Sequence, residues 1–284
     1  MPSNHPSRDR HLTWPACYNT RDLSGLLTVD GRQTDRQAVI RSDTLGRLTP
    51  QGRQALLDYG VRTIIDLRAP KEAQADVPAF TRPDHKTDEP AYLNLLLEKY
   101  YPHVSALINQ AATRAEVYCL ILDHYPEAVA EVMRAIANAQ TGGVVIHCHA
   151  GKDRTGMVAG LLLSLVGVPA DIVAADYAES QERLWPVYEQ LVAQAGGEDK
   201  VGFWAKPTVI PEMMLDMLAH IEAAHGGVQP YLTAAGLSSV DMARLKKRLC
   251  APRPNRNHAA GWPVLGAKAI KASVACTASP AERA

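Results

Sequence analysis

A cysteine and an arginine in C-x5-R spacing, Cys148 and Arg154, stand inside the string Val144–Gly156, VVIHCHAGKDRTG. The thiolate, not the thiol, is the nucleophilic form of cysteine. The arginine fork matches two phosphoryl oxygens and keeps its proton at any ordinary pH. Such a pair suits attack on a bound phosphate, with fixed positive charge around the oxygens that carry the charge of transfer. Thr155, directly after the arginine, offers a hydroxyl to the cysteine sulfur. Asp153, directly before it, offers a carboxyl that could protonate a departing alcohol oxygen, which is general-acid work. His149, Ala150, Gly151 and Lys152 fill the loop between them and are the residues expected to surround a substrate, with His149 on the rim. His147 is expected to hold the loop's shape by hydrogen bonding to backbone.

The elements that must position these groups are legible on either side. Val144, Val145 and Ile146 are β-branched and apolar and predict the end of a buried strand. Met157 to Leu163 is apolar throughout and predicts a buried helix. A strand, a phosphate-sized loop and a helix N-terminus form an anion site through backbone N–H groups and the helix dipole alone. Two rivals fail on spacing. Gly151-Lys152 matches the end of a nucleotide-binding Walker sequence, but its earlier glycine would fall at Ile146 and its Ser/Thr position holds Asp153. His147, Cys148 and His149 lack a second ligand pair at zinc-finger spacing. Neither a metal nor an organic cofactor is expected.

Elsewhere, Asn19-Thr20-Arg21-Asp22 reads as a turn with an Arg21–Asp22 charge pair pinning the N-terminal segment to the sheet. Asp30-Gly31 predicts a hairpin between Leu27–Val29 and Ala38–Ile40. Arg41 either pairs with a loop carboxylate or approaches the phosphate site. Thr49 and Pro50 predict a helix cap and first turn. Val61–Arg68 predicts a strand ending at Asp66. A polar residue at a strand end of an α/β sheet is where sites are built. Asp66 is therefore a second candidate acid, or a partner that orients the loop arginine, or a member of an Asp66, Arg68 and Glu72 ion network capping the strand. Residues 76–90 read as an exposed loop, and 91–139 as helical, broken at Pro102 and Pro126. Tyr100, Tyr101 and Tyr118 either line an approach to the site or pack on helices. A helix is predicted over Asp171–Gln181. Trp185, Trp204, Met213, Met214 and Met217 suggest packed helices near the site. Tyr231-Leu232 reads as a short connection before a last helix started by Ser238-Ser239.

The loop HCHAGKDRTG resembles that of the atypical bacterial tyrosine phosphatases of the tyrosine phosphatase B and lipid phosphatase A type, within the cysteine-dependent phosphatases. Asn19–Gly25 is similar to the NxRDLGG motif of that family, with Ser24 in place of a glycine. Arg41-Ser42-Asp43, Asp66-Leu67-Arg68 with Glu72, and Asp176-Tyr177 with Ser180 resemble its other motifs. The resemblance implies a phosphate monoester hydrolase working through a phosphocysteine on Cys148. Protein phosphotyrosine is the leading substrate, and phosphoinositides or phosphoserine and phosphothreonine are the alternatives. Lys152, a second cation in the loop, points to a substrate more anionic than an isolated phosphotyrosine. A sulfur-transfer enzyme or a silent phosphate-binding module are readings of other classes. Arg154-Thr155 argues against the first, and the presence of both Cys148 and Arg154 against the second.

The chain has 284 residues, is 46% hydrophobic and carries a formal net charge of +0, which gives no general attraction to nucleic acid or to an anionic membrane. Five scattered cysteines (Cys17, Cys119, Cys148, Cys250, Cys276) suggest no disulfide framework, and the N-terminal residues no secretory signal. A cytoplasmic enzyme without stable membrane insertion is expected. The predicted fold is α/β, a central mostly parallel sheet with helices on both faces. The expected organisation is a flexible 1–12, a catalytic domain over 13–250 and a disordered tail over 251–284.

Overall fold

A five-stranded sheet presents the carboxyl ends of three parallel strands side by side, and everything else in the fold serves that edge. The computed structural model describes residues 10–75, 89–99, 101–202 and 205–250. The strands are β1 (Arg21–Asp22), β2 (Val39–Ser42), β3 (Val61–Asp66), β4 (Ala91–Asn94) and β5 (Gly143–His147), in spatial order β1-β2-β5-β3-β4. β1 runs antiparallel to β2, and all other pairs are parallel. The register sets Ser42 and Asp66 on either side of His147. The residues that follow these three positions therefore meet at one edge, the usual place for a site in an open α/β sheet.

The central strands are buried on both faces, and their side chains alternate between two cores, as the two-residue period of a strand requires. Val39, Ile65, Val144 and Ile146 enter the larger core, and Ile40, Ile64 and Val145 the smaller. The larger core is shared with helices α4 (Arg114–His124), α5 (Pro126–Asn138), α6 (Asp153–Leu165), α7 (Ala170–Ala195), α8 (Pro211–His225) and α10 (Ser239–Leu249). The smaller is closed by Trp14 and helix α1 (Pro50–Asp58), which Thr49 caps through its side chain with Pro50 in the first turn. Short helices α2 (Pro70–Ala75), α3 (Pro102–Gln110) and α9 (Val228–Ala234) complete the described part. Met214 and Met217 are fully buried, and Gly160 lets α6 approach them: an added Cβ would lie 2.7 Å from the Met214 sulfur.

Several sequence expectations need correction. Ala91–Asn94 is not helical but an edge strand, because pairing with Thr63–Asp66 satisfies its backbone there. The turn at Asp30-Gly31 pairs Leu27 with Gln33, while β2 pairs with β1 instead. The helix expected over Asp171–Gln181 runs on through Pro186 to Ala195, and Tyr231-Leu232 lies within α9. Trp185 is 39% exposed and rests on Tyr188 of its own helix, with ring centroids 5.7 Å apart, and is not packed against another helix of the core. Arg10, in the stretch expected to be flexible, is buried against Asp176. The tail 251–284, Tyr100, Trp204 and most of the expected loop 76–90 lie outside the described residues.

Candidate active site

β5 delivers Cys148 to the sheet edge, and α6 begins five residues later at Asp153, so Asp153, Arg154 and Thr155 lie in the first turn of a helix. Cys148 is 3% exposed. The intervening loop is clamped from behind. Thr44 N donates to His149 O at 2.9 Å, and Asn19 Nδ2 donates to Ala150 O and Gly151 O at 3.0 and 3.1 Å. Arg41 Nη2 donates to Gly151 O at 2.9 Å. The carbonyls of His149, Ala150 and Gly151 are thus turned onto donors behind the loop, and in a backbone nest of this kind the intervening N–H groups face an anion. His147 Nδ1 lies 3.2 Å from Cys148 O, the backbone role expected of it.

Gly151 makes the clamp possible. Its φ of +66° is a left-handed conformation, and a Cβ there would lie 2.4 Å from the Ser42 carbonyl oxygen. Gly151→Ala should leave a folded protein whose kcat/KM on phosphate esters falls about a hundredfold, because small misplacements of reacting groups cost that much. Circular dichroism and initial rates check this. A fall of under about threefold would mean that the loop tolerates the displacement.

Behind the clamp the scattered motifs converge on Asp176. Arg10 Nη1 meets Asp176 Oδ1 at 2.9 Å, Arg21 Nε the same oxygen at 3.1 Å, and Arg41 Nη1 meets Oδ2 at 2.8 Å. Ser180 Oγ accepts from Arg21. The expected Arg21–Asp22 pair is therefore not formed: adjacent strand residues face opposite ways, and Asp22 instead accepts from Gln37 N and the Tyr59 hydroxyl. Burial alone would raise the Asp176 pKa, but three guanidinium groups hold it far below the usual carboxylate range.

In front lies a cavity of about 490 Å³ lined by Cys148, His149, Ala150, Lys152, Asp153 and Arg154, with Glu72, Glu98 and a wall of apolar side chains. Arg154 Nη1 and Nη2 bind Glu72 as a fork at 2.8 and 2.9 Å. Burial works against its charge, yet this pairing leaves the arginine pKa raised. Glu72 thus pairs with Arg154 and not with the strand cap of Asp66 and Arg68, one of the readings that the sequence allows. Asp153 Oδ1 accepts from the Tyr118 hydroxyl at 2.5 Å and from Arg114 Nη1 at 3.3 Å, and Tyr177 lies behind at 2.6 Å from Tyr118. Tyr118 is fully buried, and its burial next to Asp153 raises its pKa well above the ordinary value, so it remains a neutral donor. Lys152 is buried, its pKa lowered to about 8 chiefly by that burial, with Nζ donating to Lys206 O at 2.9 Å. It is committed to protein, which weakens the expectation drawn from it of a highly anionic substrate.

Two expectations come out differently. Thr155 Oγ1 is buried and finds no hydrogen-bond partner among the described residues, so the bond to the cysteine sulfur is not made in this arrangement. Asp66 does not line the cavity. It binds Arg68 at 2.8 to 3.1 Å and accepts from the Tyr92 hydroxyl. Burial pushes its pKa up, but Arg68 and its other partners outweigh this and hold it below the usual value. Arg68 Nη1 in turn reaches Thr44 Oγ1 at 3.2 Å, so Asp66 acts on the loop's support. Sequence reasoning missed Arg114, Glu98 and the Lys206 carbonyl. Only the charge of the first two marked them, and their positions depend on tertiary packing.

A mostly parallel α/β sheet flanked by helices, with a C-x5-R loop between its central strand and a buried helix, is consistent with a cysteine-phosphatase-like domain. The model of the tyrosine phosphatase family matches residues 12–251, and the chain belongs to that family. It is 32% identical to a tyrosine-protein phosphatase of Nostoc commune, over 75% of this chain and 74% of that protein. It is 30% identical to a putative tyrosine-protein phosphatase of Cupriavidus necator, over 84% and 88%. It is 27% identical to the triple specificity protein phosphatase PtpB of Mycobacterium tuberculosis, over 82% and 96%. Among the described residues no helix is long and apolar enough to cross a membrane.

Proposed function

We propose that this chain hydrolyses phosphate monoesters through a phosphocysteine, with protein phosphotyrosine as its substrate. The observation that carries the reading is the convergence of Cys148, Arg154 and Asp153 on one cavity, at the mouth of α6. In the first step Cys148 Sγ bonds to phosphorus as the bond to the ester oxygen breaks, and Asp153 gives that oxygen its proton. In the second, water attacks phosphorus, the Asp153 carboxylate takes the water's proton, and the S–P bond breaks to return the thiolate. The loop N–H groups and Arg154 hold the equatorial oxygens throughout. A guanidinium has five N–H donors; Glu72 takes two from Arg154 and orients the rest. His149, Ala150, Gly151 and Lys152 surround the substrate, while Asp66 supports the loop from the neighbouring strand. No metal or organic cofactor is needed in these steps. Action in the cytoplasm is part of the proposal and agrees with Cys17, Cys119, Cys148 and Cys250 being unpaired.

The apolar wall of Ile108, Val117, Ile121 and Met157 suits an aromatic leaving group. The triple specificity named for the Mycobacterium tuberculosis relative favours a second reading, with phosphoserine, phosphothreonine or phosphoinositides also accepted. Phosphate release from a phosphotyrosine peptide, a phosphoserine peptide and a phosphoinositide, measured side by side, tests both; release from none of them would refute the proposal. Asp153→Asn tests the acid. Turnover of an alkyl phosphate, whose leaving oxygen needs a proton, should fall about a hundredfold or more, and turnover of a nitrophenyl phosphate far less. Equal losses on both esters would move the acid elsewhere.

A further inference from the structure

The mouth of the cavity holds more negative charge than the proposed chemistry uses. Three carboxylates line it, Glu72, Glu98 and Asp153, against the cations Lys152 and Arg154. Lys152 is bonded to Lys206 O and lies 3.8 Å from Asp153 Oδ2, and Arg154 is forked onto Glu72. Glu98 stands apart from this pairing. It forms no hydrogen bond among the described residues, and its ion-pair contact there is Arg154 Nε at 4.0 Å, at the edge of that range. Its side chain is 38% exposed. Burial raises its pKa; Arg154 offsets part of this, while Glu72 and Asp153 add repulsion of like sign.

A phosphate seated on Arg154 therefore has Glu98 as a close neighbour. The dianion's own charge is met by Arg154, the loop N–H groups and the helix dipole. A second phosphate on an adjoining atom of the substrate would face Glu98 and Glu72 with no uncommitted cation among the described residues lining the cavity. A neutral ring would rest on Ile108, Val117, Ile121 and Met157, and a basic neighbour would give Glu98 a closer partner than Arg154 Nε at 4.0 Å.

We propose that Glu98 is a specificity-determining residue, admitting singly phosphorylated aryl esters with neutral or basic surroundings and turning away esters with a second phosphate beside the scissile one. This rests on the phosphatase reading and narrows its substrate class to phosphotyrosine in protein.

The test compares kcat/KM of the full chain and of Glu98→Gln on three compounds: a phosphotyrosine peptide, a soluble short-chain phosphatidylinositol 4,5-bisphosphate, and phenyl phosphate. The unmodified protein should prefer the peptide to the bisphosphate. Glu98→Gln should raise kcat/KM on the bisphosphate about tenfold, the effect of one like charge roughly 6 Å away at an effective dielectric of about 40, which suits a side chain that is 38% exposed. Phenyl phosphate presents only its scissile phosphate to Glu98, so its gain should be smaller, about threefold or less, and the ratio of bisphosphate to phenyl phosphate should rise. An unchanged ratio between bisphosphate and peptide overturns the proposal, as does a parallel loss on all three compounds, which would mark Glu98 as a support for Arg154. An unmodified protein that prefers the bisphosphate overturns it too. An unmodified protein inactive on phenyl phosphate and on the peptide would remove the phosphatase reading itself, an outcome distinct from an active enzyme with an unchanged ratio.

Discussion

Cys148→Ser should release no measurable phosphate while binding phosphate esters within a few-fold of the unmodified protein. The substitution exchanges sulfur for oxygen at a position that is 3% exposed, so packing is nearly conserved. It changes the reactivity instead. A serine hydroxyl is a weak nucleophile unless a base stands beside it. His147 does not serve as that base: it turns Nδ1 to the Cys148 carbonyl and sends Nε2 toward Asp66, 3.7 Å from its carboxylate. Loss of a nucleophile that acts as part of a unit costs on the order of 10^4 to 10^6 in kcat. Binding rests on other groups, Arg154 and the loop N–H groups, whose clamps at Asn19, Arg41 and Thr44 the substitution does not touch. Single-turnover phosphate release and titration with a phosphotyrosine peptide separate the two effects. The unmodified protein, quenched in acid during turnover, should carry a phosphoryl group on the peptide containing Cys148. Sustained turnover by the serine variant would remove Cys148 as nucleophile, and parallel loss of binding would mean that the sulfur holds the loop open.

Much of this was legible in the chain because local pattern and chemistry agree along one contiguous stretch. Val144 to Ile146 reads as a strand from its β-branched run, and the apolar residues after Thr155 read as a helix. What lies between is set by short-range geometry that a sequence displays directly. The groups that tune the loop were less legible. Asp176 sits in a later helix and Arg10 in a polar leader, and nothing local says that they meet. Glu72 stands close in sequence to Asp66 and Arg68, so a local network was the natural reading. The fold instead carries α2 across to Arg154, where a bidentate fork is the stronger pairing. Ala91–Asn94 failed for the opposite reason: its composition suits a helix, and the free edge of β3 overrides it. Tyr118 was readable as either lining or packing. It does both, because one face of α4 is buried while its hydroxyl reaches Asp153.

Asp176→Asn should lower thermal stability sharply and disable the loop without touching any residue that lines the cavity. Asp176 is 1% exposed and answers three arginines, of which Arg21 and Arg41 are fully buried. Breaking a buried ion cluster by removing one partner costs about 3–5 kcal/mol, because the remaining charges stay buried and uncompensated. For a domain of this size that corresponds to a melting temperature lower by about 10 °C. Arg41 also carries the Gly151 carbonyl, so a displaced Arg41 releases one of the clamps on the loop and activity should fall with stability. Pairing the change with Arg10→Met should recover part of the melting temperature, since one uncompensated charge is removed with it. The pH dependence has a definite sign. The folded-state pKa of Asp176 is depressed below the ordinary aspartate value of about 3.9, so its contribution is present in full above that value and is lost as the pH falls below it. The unmodified protein should therefore lose stability on acidification below about pH 4 more steeply than Asp176→Asn does. Differential scanning calorimetry across that range, with activity at neutral pH, decides the matter. A melting temperature within about 2 °C of the unmodified protein would show that the three arginines find other partners when the carboxylate is gone.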